Sequence, residues 1–146
     1  MDQAEALAIS DWQYPSPYSF YDWRADEEDA ALLLDEERRQ GRFFSAFDEE
    51  NELVGFLELQ AKGDELVIGL GLRPDLTGRG LGREFVEAGL AFARENFHPT
   101  RFRLSVAAFN ERAIKVYERA GFSTTRAFDH EINGGVHRFL EMTRPA

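Results

Sequence analysis

The run Thr77-Gly78-Arg79-Gly80-Leu81-Gly82 is the stretch of this sequence best suited to chemistry. Three glycines at alternate positions remove every β-carbon that would hold a ligand away from the backbone. An apolar, strand-like segment precedes the run and a long amphipathic pattern follows it, so the turn opens a helix. Amide N–H groups at a helix N-terminus lack partners inside the helix, and the macrodipole there favours negative charge. The run therefore reads as a pyrophosphate cradle with a cation, Arg79, in its middle. A strand-to-helix turn that needs glycine only for packing has the same composition, and both readings stand at this point.

Other reactive groups are few. The absence of cysteine excludes a disulfide framework, a thiolate zinc site and a cysteine nucleophile. The histidines are His98, His130 and His137, and no pair has a helical ligand spacing. No metal site is expected. Asn110 stands where a helical pattern begins and suits an N-cap. Tyr117 shares a helix face with Ala113, Ile114 and Ala120, and by itself reads as a core tyrosine.

These groups need elements to hold them. Residues 5–9 suggest a short first strand. The aromatic stretch 12–23 contains two prolines and reads as a loop with about one turn of helix. Its six aromatics either pack as a lid or wall an acceptor pocket. Residues 26–40 predict one helix, acidic at its start and ending in Arg38 and Arg39, with Ala30, Leu33, Leu34 and Glu37 on one side. Strands follow over 42–48 and 52–60, where Gly55 marks a bulge or a close backbone approach. Residues 65–72 form a third strand, buried on both faces, with Gly69 and Gly71 unusual for its interior.

The main helix spans 80–96, with Leu81, Phe85, Ala88 and Phe92 along one edge of its apolar arc and Val86, Ala93 and Phe97 along the other. A strand over 101–107 and a helix over 110–120 come next, the latter closed by Gly121 at C′. Strands 122–130 and 136–143 pair around Asn133-Gly134-Gly135.

At 146 residues and 43% apolar composition, the chain reads as a single domain, 1–146, with room for a core. No apolar run reaches the ~20 residues of a membrane span, and the acidic N-terminus is unlike a signal peptide, so a cytoplasmic protein is expected. A net charge of −10 argues against nucleic acid as a partner. It suits a cationic or amine-bearing partner, although a solubilising surface is the more common reason for such a charge.

Taken together, the elements and two motifs resemble the GNAT superfamily of acetyl-CoA-dependent N-acetyltransferases. The family's glycine motif lies at 77–82, and its downstream signature at Asn110-Glu111-Arg112-Ala113-Ile114-Lys115-Val116-Tyr117-Glu118-Arg119-Ala120-Gly121-Phe122. The resemblance covers residues 42–143 and is sharpest from 69 to 122. It implies a three-layer α-β-α fold around a mixed, mostly antiparallel sheet, with strands 65–72 and 101–107 splayed apart.

It further implies that Gly78, Arg79, Gly80, Leu81 and Gly82, with Thr77, bind the coenzyme pyrophosphate. The main chain of Leu70, Gly71 and Leu72 would pair with the pantetheine arm, and Asn110 would hydrogen-bond that arm. Gly69 and Gly71 would then permit a bulge and a close ligand approach. In the family pattern Tyr117 is the general acid for the departing thiolate, a task a phenol can perform.

Thr77 replaces the family's usual Gln or Arg, so a side-chain donor to the phosphate is missing or comes from Arg79 or Arg83. No base is assigned by motif, because Ser105 stands where some relatives carry Glu. Glu58 and Glu65 are candidates, with Asp22, Glu141 and His130 behind them, and a water chain could serve instead.

The expected reaction is direct attack by a neutral primary amine on acetyl-CoA in a ternary complex, with Leu72 N–H stabilising the oxyanion. The acceptor, small molecule or peptide, is not readable, and the protein would be a monomer or homodimer. A non-catalytic acyl-CoA-binding regulatory module is the alternative.

Overall fold

The computed structural model describes residues 1–132 and 134–146; Asn133 of the expected hairpin turn lies outside them. Strands β1 (Phe43–Phe47), β2 (Leu53–Lys62), β3 (Glu65–Leu72), β4 (Arg101–Ala107), β5 (Ser123–Ile132) and β6 (Gly135–Pro145) form one sheet, in the order β1-β2-β3-β4-β6-β5. Every adjacent pair is antiparallel except β3 and β4.

Strand alternation sends neighbouring side chains to opposite faces, and this builds three layers. Leu57 and Leu59 of β2 join Leu66, Ile68, Phe102, Leu104 and Val106 under the helices α4 (Gly82–Phe97) and α5 (Glu111–Arg119). Phe43 and Phe56 point the other way, toward α1 (Gln3–Ser10) and α2 (Glu27–Leu34), whose Ala6, Ile9 and Leu33 are buried there. Among the described residues, no helix is long and apolar enough to cross a membrane.

Several sequence expectations are corrected. Residues 5–9 lie in α1, a helix started by a capping box. The Asp2 carboxylate accepts from Glu5 N–H at 2.8 Å, while Glu5 accepts from Asp2 N–H at 2.9 Å. The single helix expected over 26–40 is broken at Asp35. That residue is extended and caps a second short helix, α3 (Glu36–Arg39), by accepting from Glu37 and Arg38 N–H. Arg39 is buried rather than solvated, and its guanidinium donates to the carbonyls of Leu33 (2.9 Å) and Met1 (3.3 Å). It thereby satisfies a carbonyl at the end of α2 that would otherwise be orphaned.

The buried stripe of α4 is Val86, Gly89, Leu90 and Ala93, while Leu81, Ala88 and Phe92 are exposed. Gly89 centres the stripe because a β-carbon there would lie 2.9 Å from Leu57 Cδ2, so its absence lets the helix settle on β2. At Gly55 both sequence readings are realised. The β1–β2 register slips between Ala46↔Gly55 and Phe47↔Leu53, and a β-carbon on Gly55 would meet the Phe85 ring at 2.7 Å.

β3 is less buried than expected. Only Leu66 and Ile68 are fully covered, since the strand loses its β4 neighbour beyond that point.

Candidate active site

β3 and β4 pair only at Glu65↔Arg101, Leu66↔Phe102 and Val67↔Arg103, then diverge. β3 stays paired with β2 as far as Gly55↔Leu72, and β4 with β6 as far as Ala107↔Phe139. A wedge-shaped gap therefore opens within the sheet. Arg73 N–H bonds the Val54 carbonyl, and Ala108 N–H bonds the Arg138 carbonyl. The alternation of an antiparallel ladder then turns the main-chain N–H and C=O of Leu70 and Leu72, and of Ala107, into the gap.

Gly71 faces the other way in this ladder, pairing with Phe56, and a β-carbon on it would strike that ring at 2.5 Å. The β2–β3 register is unbroken, so Gly69 and Gly71 create no bulge. Room for Phe56 is what Gly71 provides.

The aromatic stretch crosses the mouth of the gap and ties to both of its arms. Its two turns of 3-10 helix span Tyr18–Tyr21 and Trp23–Ala25. The Tyr14 hydroxyl donates to the Leu72 carbonyl at 2.7 Å. The Tyr21 hydroxyl accepts from Ala107 N–H at 3.2 Å and from Asn110 Nδ2 at 3.3 Å. Trp12 and Trp23 lean on Phe56, and Phe20 and Tyr21 on Phe109, which anchors the strap at each end. Removing either hydroxyl leaves a main-chain group without its partner. Tyr14→Phe and Tyr21→Phe should each lower unfolding free energy by about 1 kcal/mol. Urea midpoints check this; wild-type midpoints in both variants would dissolve the strap's role.

Asn110 performs two tasks at once. Its Oδ1 accepts from Ala113 N–H, capping α5, while Nδ2 reaches Tyr21. Two turns further along, the Tyr117 ring packs edge-on to Phe122 at 6.0 Å. Burial pushes the Tyr117 phenol well above its ordinary range, and the neighbouring Tyr21 phenol adds to that shift. Tyr21 is also raised by burial, against the opposing pull of the Asn110 and Ala107 N–H groups. The α5 end is fixed by Gly121 (φ +92), with Gly121 N–H on Glu118 O and Phe122 N–H on Tyr117 O.

The glycine run leads into α4 as expected. Gly78 and Gly80 have φ of +74° and +79°, and nothing lies within 4 Å of a β-carbon built on Gly80. Among the described residues, no backbone N–H from 78 to 84 makes a hydrogen bond, and Leu81 supplies no side-chain cap. Unpaired donors at a helix start, beside open space, fit a bound anion. Thr77 differs from its neighbours: its N–H and hydroxyl both donate to the Pro74 carbonyl, at 3.3 and 2.7 Å.

The candidate carboxylate bases each have a partner. Glu58 meets Arg42 at 2.5 Å, and Glu65 pairs with Arg103 at the closed end of the gap. Asp22 accepts from Tyr14 N–H at 2.9 Å, and Glu141 pairs with Arg126 at 3.0 Å.

Residues 5–122 match the Acetyltransferase (GNAT) family. The chain belongs to that family. Its relatives include the mycothiol acetyltransferases of Propionibacterium freudenreichii subsp. shermanii, 39% identical over 53% of this chain and 26% of the relative, and of Streptomyces coelicolor, 40% identical over 56% and 27%. The chain thus spans about a quarter of the length of the curated relatives it matches.

Among solved structures, the spermidine N-acetyltransferase of Vibrio cholerae in complex with CoA and spermine superposes with a TM-score of 0.78. Identity is 18%, with 99% of this chain and 92% of that one covered. A GNAT-family acetyltransferase from Bacillus anthracis gives 0.75 at 18% identity, covering 99% and 91%. Both likenesses establish the GNAT fold, including the mixed sheet.

Within this GNAT domain, three residues of interest escaped sequence reasoning. Tyr14 and Tyr21 were hidden among six aromatics, with nothing in spacing to set two apart. Arg112 lies inside the downstream signature, yet only the fold brings its guanidinium to Gly78.

Proposed function

We propose that this GNAT domain transfers an acetyl group from acetyl-CoA to a primary amine by direct attack in a ternary complex. The observation that carries this reading is the line of unpaired N–H groups from 78 to 84, beside a gap with main-chain donors of its own. Acetyl-CoA, when bound, supplies an activated thioester.

The chain's residues divide the remaining work. The backbone of Gly78, Arg79, Gly80, Leu81 and Gly82 holds the pyrophosphate. Leu70 offers its N–H and C=O groups to the pantetheine arm, as a strand edge does for a peptide, while the Leu72 carbonyl is held by Tyr14. Leu72 N–H, turned into the gap, donates to an oxygen that gains negative charge there. Asn110 and Tyr21 hold the opposite arm of the gap at Ala107. Tyr117, kept neutral by burial, gives its proton to the leaving sulfur.

Neither leading candidate base is free, since Glu58 and Glu65 are each ion-paired. The acceptor's proton therefore leaves through water, and juxtaposition of the two substrates supplies most of the rate. The net charge of −10 favours a cationic acceptor, and the aromatic strap walls its side of the gap. That a GNAT structure of the same fold was solved with CoA and spermine supports an amine in this role.

A second reading, an acyl-CoA-binding module without turnover, is favoured by Thr77, whose donors are both committed to Pro74. Calorimetric titration with acetyl-CoA and CoA, followed by an amine screen for thiol release, separates the two. Binding of both coenzymes with amine-dependent thiol release is expected. Binding with no release for any amine would favour the module, and no binding would end both readings.

A further inference from the structure

The guanidinium of Arg112, in the first turn of α5, lies over the Tyr18 ring at 4.2 Å from its centroid. Its Nη1 is 3.2 Å from where a β-carbon on Gly78 would be. One side chain therefore spans from the aromatic strap to the glycine run. Its N–H groups radiate in the plane of the guanidinium, whereas stacking uses only the face. Contact with Tyr18 consequently fixes the group and leaves its donors available.

The charge around it is one-sided. Among the described residues, Arg112 has no carboxylate within ion-pair distance, although the chain carries 27 acidic residues. Beside it stand the unpaired N–H groups from 78 onward and the positive end of α4. Arg79 is less free: it is close enough to Asp75 to help Arg73 hold that carboxyl below its usual range. An unpaired cation next to a row of unpaired donors calls for an anion from outside the chain.

We propose that Arg112 binds the coenzyme pyrophosphate at the Gly78 end of the glycine run, and that its stack on Tyr18 makes the aromatic strap part of the coenzyme site. The inference rests on the reading that this run holds coenzyme A. It assigns to α5 the side-chain donor that Thr77 does not supply. It also couples the two substrates, because a coenzyme that fixes Arg112 fixes the strap that walls the acceptor side, and an ordered strap prepares Arg112 for the coenzyme.

Calorimetric titration of Arg112→Gln, Arg112→Lys and Tyr18→Leu with CoA and with 3′-dephospho-CoA tests this. Circular dichroism serves as the folding control. Arg112→Gln should weaken both ligands about tenfold or more, since a charge-assisted bond to phosphate is lost. Arg112→Lys should recover part of that loss, and Tyr18→Leu should weaken both about threefold by freeing the side chain.

Hydrogen exchange gives an independent readout. CoA should slow exchange over residues 18–25 in the wild type and fail to do so in Arg112→Gln. Equal CoA affinity in wild type and Arg112→Gln would overturn the assignment. A loss confined to CoA and absent with the dephospho form would place Arg112 on the 3′-phosphate and overturn the pyrophosphate role. If the wild type itself binds neither ligand, the coenzyme reading of the glycine run fails first.

Discussion

Tyr117→Phe will lower amine-dependent thiol release from acetyl-CoA about 10²-fold, while CoA affinity stays within about twofold. The half-buried phenol packs beside Phe122 and lies close to Tyr21, so removing one oxygen changes little in the packing. What is lost is the proton for the leaving sulfur. Rapid-quench assays with the amine found by screening, alongside calorimetry, read the two quantities separately. Wild-type turnover in the variant would remove Tyr117 from the mechanism. A parallel loss of CoA binding would make it a structural residue instead.

Half-buried phenols also set an alkaline limit on stability. Burial raises Tyr117, and burial with the Asp22 charge raises Tyr14, so the fold prefers both neutral. An unfolded tyrosine titrates near about 10. The stabilisation is therefore fully present below that pH, and it declines as pH rises above it toward the raised folded values. Between about pH 8 and about pH 11, the urea midpoint of Tyr117→Phe should fall less than that of the wild type.

The second large effect is at the glycine run. Gly80→Val should reduce CoA affinity about 10²-fold, as two charge-assisted backbone contacts are lost, and lower unfolding free energy by about 1–3 kcal/mol through strain at a positive φ. Gly80 is exposed, has φ +79° and borders open space, so a branched side chain strains a loop conformation without disturbing the core. Retained affinity in a folded Gly80→Val protein would reduce the run to a connector between β3 and α4. A collapsed urea midpoint would show instead that the turn is structural.

Much of this fold is legible in the sequence because its signals are local. The β4 bounds fall at 101 and 107 as read, and Asn110 and Gly121 bracket α5, since one strand pattern and two cap residues suffice. The glycine run opens α4 for the same reason. The misreadings arise where local signals compete. Residues 5–9 alternate enough for a strand, but Asp2 and Glu5 form a capping box whose two hydrogen bonds decide for a helix. Asp35 is both a tolerable helix residue and a good cap, and the fold uses it as a cap because Arg39 must turn inward to Leu33.

The sequence by itself determined the glycine run, the two helices that flank the gap and the placement of Tyr117. Each follows from backbone propensity and side-chain period over a few residues. Tertiary structure alone decided which tyrosines reach the gap, that Leu72 and Ala107 face it, and that Arg112 meets Gly78. Those contacts join residues 58, 86 and 34 positions apart, the last being the separation of Gly78 from Arg112. They depend on the divergence of β3 from β4, which is set by the packing of layers and leaves no trace in the local pattern of either strand.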